Sequence, residues 1–297
     1  MKDSITVIYI ISDRRSGSTL LENILSKSVE TVSVGELAML KGHIEKEGPG
    51  NLWNWNCSCG KAIMQCEFWS KVLANIYDKK FETKINWPYK SMKAIYASLF
   101  PSRGKKVLPG LVQLKENIDT AEKLDASYLT IATVSGKKII IDSSKDPIQA
   151  LTLNTCKNIK AKFIWLSRDL RAITFSKLKH WYINKRSDKK PLETLTDSLF
   201  YKRVCQAVCK SFNKKNVIHI NYEMLAVNPQ KELDKICKKF GLQTFEAPKY
   251  LELLNNHTIA GTPGRFERKP ITIDNSWEDF FKAHLLLNFL GKVFNAL

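Results

Sequence analysis

Short apolar runs alternate along the chain with segments whose apolar residues recur at helical spacing. The first unit is predicted as strand Ile5–Ile11, turn Ser12–Ser18 and helix Thr19–Lys27. Three later apolar runs predict strands, namely Lys137–Ile141, Lys162–Leu166 and Val217–Asn221. Helical spacing predicts helices over Lys71–Tyr77, Tyr89–Leu99, Leu111–Ser135, Ile148–Asn154, Leu170–His180, Leu192–Asn213 and Pro229–Phe240. Strands that alternate with helices predict one α/β domain over 1–297, a parallel sheet flanked by helices on both faces.

Composition narrows the partners and the compartment. The 47 Lys and Arg residues outnumber the 29 Asp and Glu residues, which gives a net charge of +18 and favours anionic partners without identifying them. The apolar run Ile5–Ile11 is too short for a membrane span, and Asp13 follows it closely, so we expect neither a signal peptide nor a transmembrane segment. Seven cysteines without an export signal predict mostly reduced thiols in the cytoplasm.

Residues with candidate chemistry recur where predicted strands end. Arg15–Thr19 follows the first strand, Asp142–Lys145 the second, Arg168 the third and Tyr222 the fourth. Because ligands of parallel α/β sheets bind at the carboxyl ends of the strands, we expect these residues to surround one site.

The first of these segments has the properties of an anion-binding loop. A helix N-terminus offers unpaired N–H groups and a positive dipole end, and Gly17 allows close approach of a ligand to the backbone. Ser18 and Thr19 add hydroxyl groups, and Arg15 adds a fixed positive charge. The loop is P-loop-like, but it lacks the Gly-Lys pair and upstream glycine of nucleotide triphosphatases. An ordinary capped helix start is the alternative.

Arg15-Ser16-Gly17-Ser18-Thr19-Leu20-Leu21 resembles the phosphosulfate-binding loop of sulfotransferases that use 3′-phosphoadenosine 5′-phosphosulfate (PAPS). The resemblance is to the branch with tyrosylprotein and bacterial carbohydrate sulfotransferases. It implies that the 5′-phosphosulfate is held by Arg15, Ser16, Gly17, Ser18 and Thr19. The segment from Arg168 to Ser176 is similar to the R-D-x-R-A-x-x-x-S element of that family, which implies that Arg168 and Ser176 bind the 3′-phosphate.

Two further segments resemble the catalytic elements of the same family. Asp142–Pro147 is similar to a D-x-[ST]-K-x-P segment, which implies that Lys145 stabilises the leaving phosphate, together with Arg15. Glu36, after a short strand, lies in a G-E element, which implies a general base for the acceptor hydroxyl. The alternatives are a surface lysine in a helix-capping loop and a solvated glutamate.

Weaker matches extend the resemblance from about Ile5 to Trp277. Tyr222, in a Y-E-x-L segment, is implied to lie beside the nucleotide, although a packed core tyrosine is equally compatible with the sequence. Arg265 lies in a segment similar to a carboxy-terminal G-N-P-x-R element and is a candidate anion ligand.

Cys57, Cys59 and Cys66 form a cluster that carries no clear zinc pattern. The first pair has C-x-C rather than C-x2–4-C spacing, and a fourth ligand would have to be His43 or a distant residue. Packed thiols are favoured over a disulfide, and a disulfide over a metal site.

These observations together predict a sulfotransferase that moves a sulfuryl group from PAPS to an acceptor hydroxyl without a metal. A carbohydrate or glycoconjugate is the favoured acceptor, with protein tyrosine or a small alcohol as alternatives, and residues 41–114 are expected to form the acceptor side. Nucleic acid is not an expected partner. A P-loop kinase and a non-enzymatic polyanion-binding protein are the rival classes.

Overall fold

Five parallel strands form the central sheet, in the spatial order β2-β3-β1-β4-β5. They are β1 (Ile5–Ile11), β2 (Thr31–Gly35), β3 (Ile139–Lys145), β4 (Ile159–Ser167) and β5 (Val217–Asn221). Two short antiparallel strands, β6 (Tyr250–Leu251) and β7 (Lys269–Pro270), form a separate ribbon. The computed structural model describes residues 5–45, 56–76, 115–183, 190–251, 256–262 and 268–297.

Helices connect the strands and cover both faces of the sheet. The α-helices before β4 are α1 (Ser18–Leu25), α2 (Leu40–Glu45), α3 (Glu67–Ile76), α4 (Lys115–Ser135) and α5 (Pro147–Leu153). Those after β4 are α6 (Leu170–Ile183), α7 (Pro191–Ser211), α8 (Tyr222–Val227), α9 (Pro229–Phe240), α10 (Glu278–Ala283) and α11 (Leu285–Ala296). Short 3-10 turns occur at Leu37–Met39, Ile63–Gln65 and Lys214–Asn216.

The central strand β1 contributes to two cores at once. Val7, Tyr9 and Ile11 belong to the core under α3, α4, α5 and α7, whereas Ile8 and Ile10 belong to the core under α1, α8 and α9. Successive side chains of a strand point to opposite faces, so an apolar run without alternation is what a doubly covered strand requires. The predicted single α/β domain with a parallel sheet between two helical layers is therefore confirmed.

Element boundaries differ from the prediction at the ends that matter for the site. The second predicted strand, Lys137–Ile141, in fact begins at Ile139 and continues through Asp142 to Lys145, so these polar residues lie within β3. Strand β4 is longer than the predicted Lys162–Leu166 at both ends. Helix α3 begins at Glu67 rather than Lys71.

The predicted helix Tyr89–Leu99 and most of the 41–114 acceptor-side region lie outside the described residues. Among the helices that are described, none is both long enough and apolar enough to cross a membrane.

Candidate active site

The loop after β1 bends sharply before it enters α1. Gly17 has φ 88° and Arg15 has φ 69°, both in the left-handed region. The Gly17 carbonyl accepts the first helical hydrogen bonds, from the N–H groups of Leu20 and Leu21 at 3.0 and 3.2 Å. The N–H groups of Ser18 and Thr19, which precede these two in α1, have no acceptor within the helix, so they are available to an anion in front of the loop.

Gly17 is also required by a close neighbour. A Cβ atom at this position would lie 2.2 Å from Cδ2 of Tyr222, which follows β5. The missing side chain therefore lets the β1 loop pack against the β5 junction. This contact joins the first predicted motif to the weakly predicted Tyr222.

The junctions after β1 and β4 meet through their arginines. Nε of Arg15 donates to Oγ of Ser176 on α6 at 2.9 Å. One terminal nitrogen of Arg168 donates to the backbone oxygen of Arg15 at 3.0 Å. The Arg168 guanidinium also lies over the Tyr222 ring, with its central carbon 4.3 Å from the ring centroid. Four residues predicted from three separate motifs are thus brought into one cluster.

This cluster holds two positive charges close together. Burial, and then the nearby charge of Arg168, lower the pKa of Arg15. The described carboxylate against Arg168 belongs to Asp274, which is about half exposed and accepts a hydrogen bond at 3.1 Å. Nε of Arg168 is buried without a hydrogen-bond partner among the described residues. Both features fit an anion that would bind between the arginines.

A cavity of about 260 Å³ opens onto this cluster. Its wall includes Asn23 of α1, which is fully buried and whose amide oxygen and nitrogen both lack a partner in the described part of the chain. Leu251 and Ile271 supply apolar surface to the same wall. The cavity therefore combines cationic, amide and apolar surfaces, as a nucleotide requires.

The end of β3 forms a second centre. Lys145 has φ 71° and is nearly buried, and its ammonium group donates to the backbone oxygen of Ser143 at 3.2 Å. The same ammonium forms an ion pair with the carboxylate of Glu36, which directly follows β2. Because β2 and β3 are neighbours in the sheet, residues from two separate motifs meet here.

Gly35 positions Glu36 by a close backbone contact. Gly35 has φ 73°, and a Cβ atom here would lie 2.2 Å from the backbone oxygen of Ile259. That oxygen accepts the N–H of Glu36 at 2.9 Å, and the N–H of Ile259 donates to Val34 at 3.1 Å. The segment 256–262 therefore lies against the carboxyl end of β2.

Two buried carboxylates hold in place the strand ends that carry Glu36 and Lys145. Glu22 of α1 accepts hydrogen bonds from the hydroxyl groups of Ser33 on β2 and Ser143 on β3, and burial raises its pKa. Asp142 accepts a hydrogen bond from the Tyr128 hydroxyl at 2.5 Å, and burial raises its pKa to about 6. These bonds fasten the ends of β2 and β3 to the helices on each face.

A cavity of about 420 Å³ lies in front of Lys145 and Glu36. Lys177 contributes to its wall and pairs with the buried Asp13 at 2.6 Å, and burial raises the pKa of Asp13. His180 and Arg14 also line this cavity. Both cavities of the cleft have four lining residues in common: Arg15, Gly17, Thr19 and Thr262.

The structure brings most of the predicted site residues into the cleft. Nine of them line its two cavities: Arg15, Gly17, Ser18, Thr19, Arg168, Ser176, Tyr222, Glu36 and Lys145. Ser16 is buried and donates its hydroxyl to the Asp13 backbone at 2.7 Å, so its side chain shapes the loop and lines neither cavity of the cleft. Arg265 lies outside the described residues.

Sequence reasoning missed Asn23, Asp274 and Lys177. The sequence holds a signal for the first, because Asn23, together with Glu22, interrupts the apolar residues of α1. Asp274 carries no such signal, since it reaches Arg168 only through the fold.

Comparisons with known proteins identify a family from the sequence and a shared fold from solved structures. A family profile described as the sulfotransferase family matches residues 8–247. The chain is similar in fold to a sulfotransferase domain from the curacin biosynthetic pathway, with a TM-score of 0.51, 15% identity, and coverage of 94% of this chain and 90% of that one. It is also similar to a sulfotransferase domain of the olefin synthase from Synechococcus PCC 7002, with a TM-score of 0.50, 16% identity, and coverage of 99% and 96%. No curated protein matches the chain in sequence.

Proposed function

Since the chain belongs to the sulfotransferase family, we propose that it transfers a sulfuryl group from PAPS to an acceptor hydroxyl. The observation that carries this proposal is the shared cleft: the β1 and β4 junctions meet through Arg15, Arg168 and Ser176, and the Lys145–Glu36 pair lies in the adjoining cavity. A donor with phosphate at one end and phosphosulfate at the other matches a cleft with these two centres.

The smaller cavity is proposed to hold the nucleotide. Arg168 and Ser176 would bind the 3′-phosphate, and Nε of Arg168, which has no partner among the described residues, offers a donor for it. Tyr222 would lie beside the nucleotide, and the Asn23 amide would meet its polar atoms. The first turn of α1, together with Arg15, Ser18 and Thr19, would hold the 5′-phosphosulfate at the passage between the cavities.

The larger cavity is proposed to hold the acceptor. Glu36 would take the proton of the acceptor hydroxyl as its oxygen attacks sulfur. The bond from sulfur to the bridging oxygen breaks, and the nucleotide leaves with the electron pair as 3′-phosphoadenosine 5′-phosphate (PAP). Lys145 would neutralise the charge that develops on the leaving oxygen. When the donor binds, Lys145 would leave Glu36 and contact the donor instead. The Glu36 carboxylate would then be free to act as a base.

A carbohydrate or glycoconjugate is our first candidate for the acceptor. The larger cavity carries polar side chains such as Arg14, His180 and Thr262, which suit a hydroxylated ligand. We also propose that the chain belongs to the branch of the family with tyrosylprotein and bacterial carbohydrate sulfotransferases.

The test is a transfer assay with sulfur-labelled PAPS and a panel of glycans, glycolipids, tyrosine peptides and small alcohols. We expect label on at least one hydroxyl acceptor, with release of an equal amount of PAP. Label on glycans alone would support the carbohydrate proposal. Absence of transfer to every acceptor, together with magnesium-dependent turnover of ATP, would contradict the proposed reaction.

A further inference from the structure

Four potential metal ligands converge at a place remote in sequence from the catalytic motifs. They are the thiols of Cys57, Cys59 and Cys66 and the imidazole of His257, whose ligand atoms all lie within 4.8 Å of one another. Nδ1 of His257 lies 3.2 Å from the sulfur of Cys66 and 3.8 Å from that of Cys57, and these two sulfurs are 3.7 Å apart.

We propose that this cluster binds one zinc ion. Zn–S bonds of about 2.3 Å and Zn–N bonds of about 2.0 Å place the ligand atoms of a tetrahedral site about 3.8 Å (S···S) and about 3.5 Å (S···N) apart. The three separations among Cys57, Cys66 and His257 lie close to these values, and the sulfur of Cys59 lies within 4.8 Å of the other three ligand atoms. Three sulfurs and one imidazole nitrogen are a closed ligand set typical of structural zinc. Binding would release the thiol protons and involves no electron transfer.

The cysteine segment is folded as a ligand loop should be. The N–H of Cys57 donates to Lys61 at 2.9 Å, and the N–H of Gly60 donates back to Cys57 at 2.8 Å, with Gly60 at φ 85°. Cys66 stands at the start of α3, where its carbonyl accepts the N–H of Ser70 at 2.8 Å. A tight turn and a helix start therefore present the sulfurs to one point.

His257 is held in place independently of any metal. The N–H of Ser58 donates to the carbonyl of Thr258 at 3.0 Å, and the N–H of Thr258 donates to Oγ of Ser58, also at 3.0 Å. The indole of Trp69 donates to the His257 carbonyl at 2.7 Å, and the Phe68 ring stacks on the imidazole with centroids 4.9 Å apart. These contacts fix both ring position and backbone, as supporting residues around metal sites do.

A disulfide or a set of packed thiols fits the cluster less well than a zinc ion does. A bond between Cys57 and Cys66 would require the sulfurs to move from 3.7 Å to about 2.05 Å, and it would leave Cys59 and His257 without a function. Packed thiols, which the sequence favoured, need no imidazole nitrogen directed at the sulfurs. The structure supplies the distant fourth ligand that the sequence did not identify.

The position of the cluster indicates what the metal would stabilise. His257 lies two residues before Ile259, whose backbone bonds to Val34 and Glu36. The following residues, Ala260 to Thr262, line the larger cavity. A zinc ion would thus cross-link the 57–66 segment to the wall of that cavity. Metal binding itself does not depend on the reaction proposed above.

The experiment measures zinc in the full-length protein, purified under reducing conditions and reconstituted with zinc before removal of unbound metal. Elemental analysis should give about one zinc ion per chain. Cobalt substituted for zinc should show the intense visible bands of a tetrahedral thiolate site. Cys59→Ser and His257→Ala should each lower the zinc content to less than about a tenth of the unsubstituted value.

Cys156→Ser is the matched control, because Cys156 is half-buried like Cys59 but lies outside the cluster. It should keep the zinc. A strong chelator should lower the melting temperature of the unsubstituted protein and of Cys156→Ser. Should a cluster variant fail to fold, the zinc content and cobalt spectrum of the unsubstituted protein still decide. A reconstituted protein that holds no zinc overturns the proposal. In that case the cluster cysteines would be free thiols that react with an alkylating reagent, or Cys57 and Cys66 would form a disulfide.

Discussion

In the smaller cavity two arginines lie close together against one half-exposed carboxylate, whereas in the larger cavity the ammonium of Lys145 is paired with Glu36. Arg15 and Arg168 lie close together and are partly buried, so their two positive charges raise the electrostatic potential of this cavity. Lys145 and Glu36 instead neutralise each other. Within one cleft, the cluster of Arg15 and Arg168 therefore holds surplus positive charge, whereas the Lys145–Glu36 pair is neutral.

Because of this difference, we expect nucleotide affinity and turnover to depend on different residues. A site with surplus positive charge gains free energy as soon as an anion enters. A site whose charges are already paired gains little in the ground state, and its groups become useful only when charge develops elsewhere. We therefore expect loss of Arg168 to weaken nucleotide affinity and loss of Lys145 to lower the rate.

The largest effect is expected for Lys145→Ala. Loss of a group that stabilises the leaving oxygen should lower kcat by about 100-fold to 1000-fold. Affinity for PAP should change by less than about threefold, because the 3′-phosphate contacts remain. Steady-state kinetics with the acceptor found by the panel, and calorimetry with PAP, measure the two quantities. The exposed Lys179→Ala on α6 is the control, and equal losses in kcat and PAP affinity for Lys145→Ala would refute the separation.

Asp142 sharpens the comparison through stability, because it lies beneath the Lys145 end of the cleft. Burial raises its pKa to about 6, so the folded protein holds this proton more tightly than the unfolded chain. Its contribution is favourable at acid pH and is lost as the pH rises through about 6, by up to about 3 kcal/mol. Asp142→Asn, which keeps the side-chain shape, should flatten the dependence of unfolding free energy on pH between about 4 and 7. Urea unfolding at several pH values measures it, and an unchanged slope would be the contrary result.

Arg168→Ala tests the opposite cavity. Loss of a charged hydrogen bond to phosphate should weaken PAP binding by about tenfold to 100-fold. Affinity for 5′-AMP, which lacks the 3′-phosphate, should change far less. Arg203→Ala, at a position that lines neither cavity of the cleft, is the control. The assignment of Arg168 is refuted when both nucleotides lose affinity equally.

The smallest expected effect comes from Asp274→Asn. This carboxylate partly neutralises Arg168, and a phosphate would have to compete with it. Removal of the negative charge should tighten PAP binding by about twofold to fivefold, since exposed ion pairs contribute little. Calorimetry at low salt measures the change, and weaker binding would show that Asp274 helps rather than opposes the ligand.

Local pattern was sufficient for much of this cleft. The apolar run of β1 and the glycine-containing turn after it predict the first junction, and Arg168 follows β4 as expected. The sequence pattern predicts the end of β3 too early, because the residues from Asp142 to Lys145 are polar. Burial of Asp142 depends on Tyr128, and burial of Ser143 depends on Glu22, and neither partner is evident from local sequence.

Contacts between distant segments account for the rest. The pairing of Glu36 with Lys145 follows from the adjacency of β2 and β3 in the sheet, which the local sequence around either residue does not reveal. His257 is a similar case, because the residues next to it in sequence do not indicate a metal ligand. The contacts of its segment with Ser58 and Trp69 place it beside the cysteines. Such contacts require the complete fold.

The most direct test of the central claim is calorimetry of the unsubstituted protein with PAP, 5′-AMP and 3′-AMP. A cleft in which the β1 and β4 junctions hold the two ends of one nucleotide should bind one PAP per chain, about tenfold or more tightly than either monophosphate. Equal affinity for PAP and 5′-AMP, or no binding of PAP, would contradict the account.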